Sequence, residues 1–317
     1  MAKGKKVTVI GTGNFGSTVA FILAMNGTCH NVVLRGRNIQ VAKGKALDMS
    51  QAANAARQHT IVRAARKPSD IAGSDVVVIT AGAPRSPGMS RDDLLTKNAE
   101  IVRDYAKEIK EYAPDAIVVV VSNPLDVMTY VVLEETGFPR ERVLGMAGIL
   151  DSARMANFIY EKLEYGAGQI RATVMGGHGD TMVPLPKFTT VAGVPIHDLL
   201  SQEDIDEIIE KTKNGGAQIV NLLGDGSAYY APAKSTVVMV DAILKDMNQI
   251  HSCAVSLDGE YGYKDIVSGV PVMIGANGAE KIIEMTLSES QAERFSKSVV
   301  SVKEMLDTLK EQKFFDK

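Results

Sequence analysis

A doubly wound α/β domain with a parallel sheet, followed by a smaller α+β domain, is the fold class this sequence predicts. Three features point to it. Short β-branched runs alternate with amphipathic helical stretches through the first half of the chain. Two of those runs, around residues 76–79 and 117–121, are apolar at every position, as expected of strands covered on both faces. A glycine-rich turn joins the first run to the first helical stretch.

Taken in order, residues 7–10, 31–34, 60–63, 75–80, 116–121 and 143–146 read as strands. Between the first two, Phe15, Val19, Ile22 and Leu23 recur at the spacing of one buried helix face, and Gly27 stops the helix. Beyond about residue 150 the pattern changes. Strands near 170–175 and 271–274 mix with long helices near 203–223 and 231–246. The last helix opens with a capping box, Ser288 and Gln291, and then places Phe295, Val299, Val302, Leu306 and Leu309 on one face. The expected division is residues 1–149 for the first domain and 150–317 for the second. No Pro/Gly/Ser linker marks it.

The glycine turn is Gly11, Thr12, Gly13, Asn14, Phe15, Gly16, a G-x-G-x-x-G. Alone the pattern is weak, but here it follows a strand and opens a periodic helix, the context of a Rossmann dinucleotide site. Gly11 permits the turn, Gly13 lets a pyrophosphate approach the backbone, and Gly16 lets the helix pack close. The helix N-terminus offers free N–H groups to the anion. A P-loop is excluded because no Lys follows Gly16. An NAD site calls for Asp or Glu about 20 residues onward to hold the ribose diol. Gly36 stands there, between Arg35 and Arg37. A carboxylate would repel a 2′-phosphate, whereas glycine leaves room and Arg binds it bidentately. NADP is therefore the expected cofactor, with NAD second, and Arg37 takes the larger role because it lies just past the strand.

Composition removes other classes. The 317 residues carry 35 basic and 38 acidic side chains, so there is no basic excess to attract nucleic acid or an anionic membrane. The apolar run at residues 116–121 has six residues and no run in the chain comes near the ~20 residues a spanning helix needs. Cys29 and Cys253 lie far apart with no C-x-x-C spacing, which argues against a disulfide framework and for a reducing, cytoplasmic setting. No H-E-x-x-H or paired-cysteine pattern proposes a metal, and no G-x-S-x-G proposes a serine nucleophile.

Chemistry concentrates in a few loops. A Pro- and Gly-rich segment with Arg85 and Arg91 follows the fourth strand. Asn123 lies just beyond the fifth. Asp151 and Arg154 share the opening of a helix, and His178 stands among Gly176, Gly177 and Gly179. Of the nearby acids, sequence proximity alone points to Asp180 as the partner of His178. The remaining histidines, His30, His59, His197 and His251, lack glycine flanks and clustered partners.

In order along the chain, the strings GTGNFG, AGAPRSPGMSRDDLL, KNAEIV, SNPLD, LDSAR, GGHGDTMVPLP and GSAYYAPA resemble the lactate/malate dehydrogenase family, specifically its lactate-dehydrogenase-like malate dehydrogenases. The resemblance covers essentially the whole chain and departs at Gly36, where most members have Asp. It implies that His178 exchanges a proton with the substrate oxygen and that Asp151, not Asp180, holds the other imidazole nitrogen. Arg154 would grip the carboxylate beside the reacting carbon, and Arg91 would polarise the carbonyl. Asn123 would bind substrate and, with Val121, line the nicotinamide side, while Asn98 would contact the cofactor. Arg85 occupies a position that is arginine in the malate enzymes and typically glutamine in the lactate enzymes. Ala228 stands where lactate enzymes carry a threonine. Both imply malate and oxaloacetate as substrates, and the family implies a homo-oligomer, dimer or tetramer. The rival readings are a lactate or broader 2-hydroxy-acid dehydrogenase, an NAD-dependent glycosidase needing a Cys/His-held metal, and a non-catalytic nucleotide sensor. The sensor has no need of one His, one Asp and three arginines at the ligand end of a sheet.

Overall fold

In the computed structural model, which describes residues 4–83, 90–224 and 226–316, the six expected parallel strands form in the first half. They are β1 (Lys6–Ile10), β2 (Asn31–Arg35), β3 (Ile61–Ala64), β4 (Val76–Ile79), β5 (Ile117–Val120) and β6 (Val143–Gly145). Helices α1 (Asn14–Asn26), α2 (Ile39–Ala55), α3 (Arg91–Tyr112), α4 (Leu125–Thr136) and α5 (Gly148–Leu163) follow β1, β2, β4, β5 and β6 respectively. The strands run in the order β3-β2-β1-β4-β5-β6, and every pairing among them is parallel. The order reverses beside β1, so β1, β4 and the turns after them open at the ligand end of the sheet. β4 and β5 are buried at every residue, as the unbroken apolar runs require. On α1, Val19, Ala20, Leu23 and Ala24 are buried, and Gly27 ends the helix at φ 61°. Phe15 and Ile22, expected on the same face, are only partly buried.

The second half differs more. Residues 170–175, expected as one strand, split into β7 (Ile170–Arg171) and β8 (Val174–Met175). The break has a simple cause: β8 pairs with β9 (Val183–Pro184), whereas β7 pairs with β10 (Thr190–Val191), which is joined to β11 (Val194–Pro195). Helices α6 (Gln202–Leu223) and α7 (Tyr230–Leu244) lie where expected. They precede a three-stranded ribbon of β12 (Gln249–Asp258), β13 (Lys264–Gly275) and β14 (Gly278–Ile282), of which only residues 271–274 are strand-like by sequence. The ribbon joins the parallel sheet through the antiparallel pairing of Ala254 with Gly145. Among the described residues the main sheet therefore has nine strands and runs from the first half into the second.

This extension braces a loop. The Gly176 N–H donates to the Gly269 carbonyl of β13 at 2.7 Å, and a Cβ on Gly269 would meet the Gly176 oxygen at 2.3 Å. Helix α8 (Glu289–Glu311) covers the ribbon with Phe295, Val299, Val302, Leu306 and Leu309 buried, and its capping box is present. Phe295 packs against the rings of Tyr261 and Tyr263 at 5.3 and 5.6 Å. Phe295→Ala is expected to destabilise the protein by about 3–5 kcal/mol, the cost of emptying a buried aromatic site. Equilibrium unfolding in urea measures it; a loss below about 1 kcal/mol would mean that α8 is not locked by this ring.

Candidate active site

The glycine turn fits a dinucleotide on its own geometry. Gly11 lies at φ 111°, and a Cβ there would fall 2.3 Å from the Thr80 hydroxyl and 3.0 Å from the Ala81 nitrogen. A Cβ on Gly16 would meet the Gly11 carbonyl oxygen at 2.0 Å, so any larger residue would push α1 off β1. Over Gly13 the space is open. Gly13 caps α1 without a side-chain hydrogen bond, which leaves the first N–H groups for an anion. The Lys45 ammonium, on α2, donates to the Thr12 carbonyl at 2.8 Å and to the Ser17 hydroxyl at 2.9 Å. That tie fixes the turn from a helix whose sequence offers no glycine motif to flag it.

At the end of β2 the two arginines part company. Arg35 is bound to both Glu108 oxygens at 3.0 and 2.8 Å, donates to the Gly36 carbonyl at 3.0 Å and lies over the Tyr105 ring. Arg37 is exposed and makes no side-chain hydrogen bond or ion pair among the described residues. Gly36 is buried, and a Cβ there would meet Thr12 Cγ2 and Oγ1, both at 2.7 Å.

Next to α1, a cavity of about 280 Å³ is lined by Val121, Asn123, Arg154, His178 and Ala228, with Phe15 on the side of the glycine turn. This explains why Phe15 is only partly buried. Asn98, buried on α3, accepts from the Ala83 N–H and donates to the Asn123 carbonyl, both at 2.8 Å. It thereby ties the loop after β4 to the loop after β5. Arg91 opens α3, exposed and without a side-chain partner among the described residues. Arg85 lies outside the described residues.

Asp151 organises the rest. Its side chain is 2% exposed. One oxygen, Oδ2, meets His178 Nδ1 at 2.9 Å, and the other, Oδ1, accepts from Arg154 Nη1 at 3.2 Å. With Nδ1 engaged, Nε2 is the imidazole nitrogen left to exchange a proton. Burial drives the imidazole pKa down, but the charge and hydrogen bond of Asp151 outweigh it and hold His178 above the ordinary histidine value. Asp180 lines the same cavity and has no bond to the ring.

Four contributors were not legible as such. Gly215 and Gly216, in the middle of α6, lie against Arg154, where a Cβ would come within 3.5 Å of its Cδ and of Nη2 respectively. Two central helix glycines each cost about 1 kcal/mol against alanine, so their presence was the available signal that something passes close. Lys213 adds a cation to the cavity wall, paired with Glu210 at 2.9 Å. Asp126, the last residue of the SNPLD string, accepts from the His178 backbone N–H at 2.9 Å.

Comparison with known proteins decides the relationship. Residues 5–145 match the family model described as "lactate/malate dehydrogenase, NAD binding domain", and residues 149–313 match "lactate/malate dehydrogenase, alpha/beta C-terminal domain". The chain belongs to the lactate/malate dehydrogenase family. It is 64% identical over 317 residues to the malate dehydrogenase of Sulfurimonas denitrificans, covering 100% of this chain and 99% of that protein. It is 59% identical to that of Nitratiruptor sp. over 99% of each. Among solved structures, malate dehydrogenase from Salinibacter ruber superposes with a TM-score of 0.93 at 44% identity, covering 98% of this chain and 100% of that one. A lactate dehydrogenase from Cryptosporidium parvum, complexed with lactic acid and nicotinamide adenine dinucleotide, gives 0.93 at 37% identity over 98% and 99%. The family thus includes both substrate classes at nearly equal structural distance.

No group of three or more His, Cys, Asp or Glu among the described residues is arranged to hold a metal ion. Nor is any helix among them long and apolar enough to cross a membrane. Cys29 and Cys253 are buried and unpaired, and burial pushes both thiols up, Cys29 to about 12.

In Asp151→Asn the imidazole is expected to titrate below the ordinary histidine value, because burial remains and the largest of the interactions that offset it is gone. Wild type should titrate above that value. NMR titration of the ring protons reads both, and equal values would remove Asp151 as the cause.

Proposed function

We propose that this chain is a malate dehydrogenase that interconverts malate and oxaloacetate with NADP in preference to NAD, as a homo-oligomer in the cytoplasm. The carrying observation is the Asp151 carboxylate joined to both His178 and Arg154 at the wall of a cavity beside the glycine turn. When bound, the nicotinamide supplies or accepts the hydride at the substrate's C2. The other roles fall to the chain. Arg154, placed by Asp151, pairs with the carboxylate next to C2. His178 Nε2 gives its proton to the carbonyl oxygen as that atom gains charge, and takes it back in the oxidative direction. Asp151 stabilises the imidazolium, which favours the proton-donating form near neutral pH. Arg91 supports the developing alkoxide. Asn123 orients the substrate, and Val121 forms the apolar wall for the nicotinamide, with Asn98 holding the two loops together.

The choice of a dicarboxylate rests on Arg85 and on the small Ala228, together with the names of the close relatives. Burying the second carboxylate unpaired would cost several kcal/mol. Oligomer formation rests on family analogy alone, which carries symmetry but not the size of the assembly.

NADP preference rests on Gly36 and Arg37. Arg35 is the weaker candidate, because Glu108 and Tyr105 already occupy its guanidinium. The exposed Arg37 remains for a 2′-phosphate, a charge-assisted contact of about 1.5–3 kcal/mol.

Following reduced-nicotinamide absorbance, wild type should turn over oxaloacetate far better than pyruvate. Arg85→Gln should cut kcat/KM for oxaloacetate at least about a hundredfold and raise relative activity on pyruvate. An equal fall on both substrates would mean that Arg85 shapes its loop and does not select the second carboxylate.

For the cofactor, wild type is expected to favour NADPH over NADH by about ten- to a hundredfold, and Arg37→Ala to weaken NADPH selectively. Gly36→Asp should reverse the order most fully when combined with Thr12→Ala, which removes both atoms that the new Cβ would meet at 2.7 Å. A wild type that already prefers NADH would sink the NADP assignment while leaving the malate dehydrogenase reading intact.

A further inference from the structure

His178 touches a second buried acid. Asp126 sits in the first turn of α4 and is 3% exposed. Its Oδ2 accepts the His178 backbone N–H at 2.9 Å, while Oδ1 is buried with no hydrogen-bond partner among the described residues. The neighbouring amide shows what a purely structural anchor requires. The Gly177 N–H donates at 2.7 Å to the hydroxyl of Ser298, a neutral side chain on α8 that in turn reaches Thr181. One loop amide is thus met by a hydroxyl and the next by a carboxylate, although a neutral acceptor would serve both. Burying an ionisable carboxyl is costly, and only backbone amides, those of His178 and of Asp126 itself, stabilise this one by hydrogen bonding, with Oδ1 left without a close partner.

The surroundings point to the imidazole. His178 is faced by Asp151 and Arg154 from α5, by Asp126 from α4, by Asp180 on its own loop and by Lys213 across the cavity from α6. From α8, Asp126 meets only the neutral Ser298 neighbourhood, and a Cβ on Gly177 would come within 3.4 Å of its Oδ2. Burial pushes the Asp126 carboxyl up to about 6, against the pull of His178. The N-terminus of α4 favours the charged form. Ionised, Asp126 and Asp151 together balance an imidazolium and the Arg154 guanidinium.

We propose that Asp126 is a positioning residue for proton transfer: through the His178 amide it fixes the loop, and through its charge it holds the imidazole in its protonated form. This rests on His178 being the proton donor. Reduction needs protonated His178, so kcat/KM falls as pH rises through the histidine pKa. Asp126→Asn keeps the shape and leaves an amide oxygen to accept the His178 N–H, but removes the charge. The expected result is an alkaline limb displaced to lower pH by about one unit, with kcat/KM above the limb about tenfold below wild type and little change beneath it. Asp126→Ser, a neutral acceptor like Ser298, should displace it the same way. NMR titration of the His178 ring should show the same downward shift without substrate. A limb and ring pKa that stay in place, whether or not the rate falls at every pH, would overturn the proposal and leave Asp126 a loop anchor. His178→Asn separates the two ideas. If it abolishes turnover while Asp126→Asn moves nothing, only the Asp126 assignment fails; if it retains turnover and the limb, the His178 reading fails first.

Discussion

The site depends on one buried carboxylate with two cationic partners. Asp151 is almost fully removed from water, and such a charge persists only where hydrogen bonds and opposite charges replace the lost hydration. Its two oxygens are divided between the His178 ring and the Arg154 guanidinium, so the imidazole and the guanidinium are both set by one carboxylate. A shift of α5 would displace both at once. The fold answers this with position. Asp151 lies in the first turn of α5, as Asp126 does in α4, and both helices begin directly after adjacent parallel strands. Helix N-termini carry partial positive charge, so the doubly wound architecture supplies electrostatic support where its strands end.

The antiparallel ribbon has a comparable role. β13 holds Gly176 by a backbone hydrogen bond and leaves no space for a side chain at Gly269, so the His178 loop rests on the sheet. Ser298 from α8 and Asp126 from α4 fasten the next two amides. A loop of three glycines around one histidine is entropically costly to order. Here three separate elements restrain it, which fixes the imidazole at the cavity wall, with no hydrogen bond to its Nε2 among the described residues.

Legibility in the sequence followed the range of the interactions. Parallel strands buried on both faces appear as unbroken apolar runs, as β4 and β5 do, and the β-branched content of the other four is also local, so β1 through β6 were readable to within a residue or two at their ends. β12 was not, because Ser252, Cys253 and Ala254 fill its buried centre with small residues that carry little β signal, and its register comes from β6 and β13. The same limit applied to the site. The glycine turn is local and announced itself. The partner of His178 is 27 positions away on another helix, and nearness in sequence favoured Asp180; only family resemblance selected Asp151. The sequence favours Arg37 over Arg35 only by its place past the strand; that Arg35 is already held is not legible, because Glu108 is 73 positions distant.

Gly36 shows why a single departure from a family pattern needs its neighbours. Read as sequence, it is a missing acid. In the fold it is half of a pair, since the side chain of Thr12 stands where a side chain at position 36 would begin. The glycine turn that carries Thr12 is tied to α2 through Lys45. An aspartate at position 36 requires the Thr12 side chain to turn aside, in a residue whose carbonyl Lys45 holds. The adenosine end is therefore a small coupled unit. It lies across the glycine turn from the Asp151 cluster, and none of the described hydrogen bonds or ion pairs joins Thr12, Gly36, Arg37 or Lys45 directly to Asp151, Arg154 or His178. A substitution at position 36 or 12 is therefore met first by the glycine turn and α2, and leaves the hydrogen bonds of Asp151 untouched.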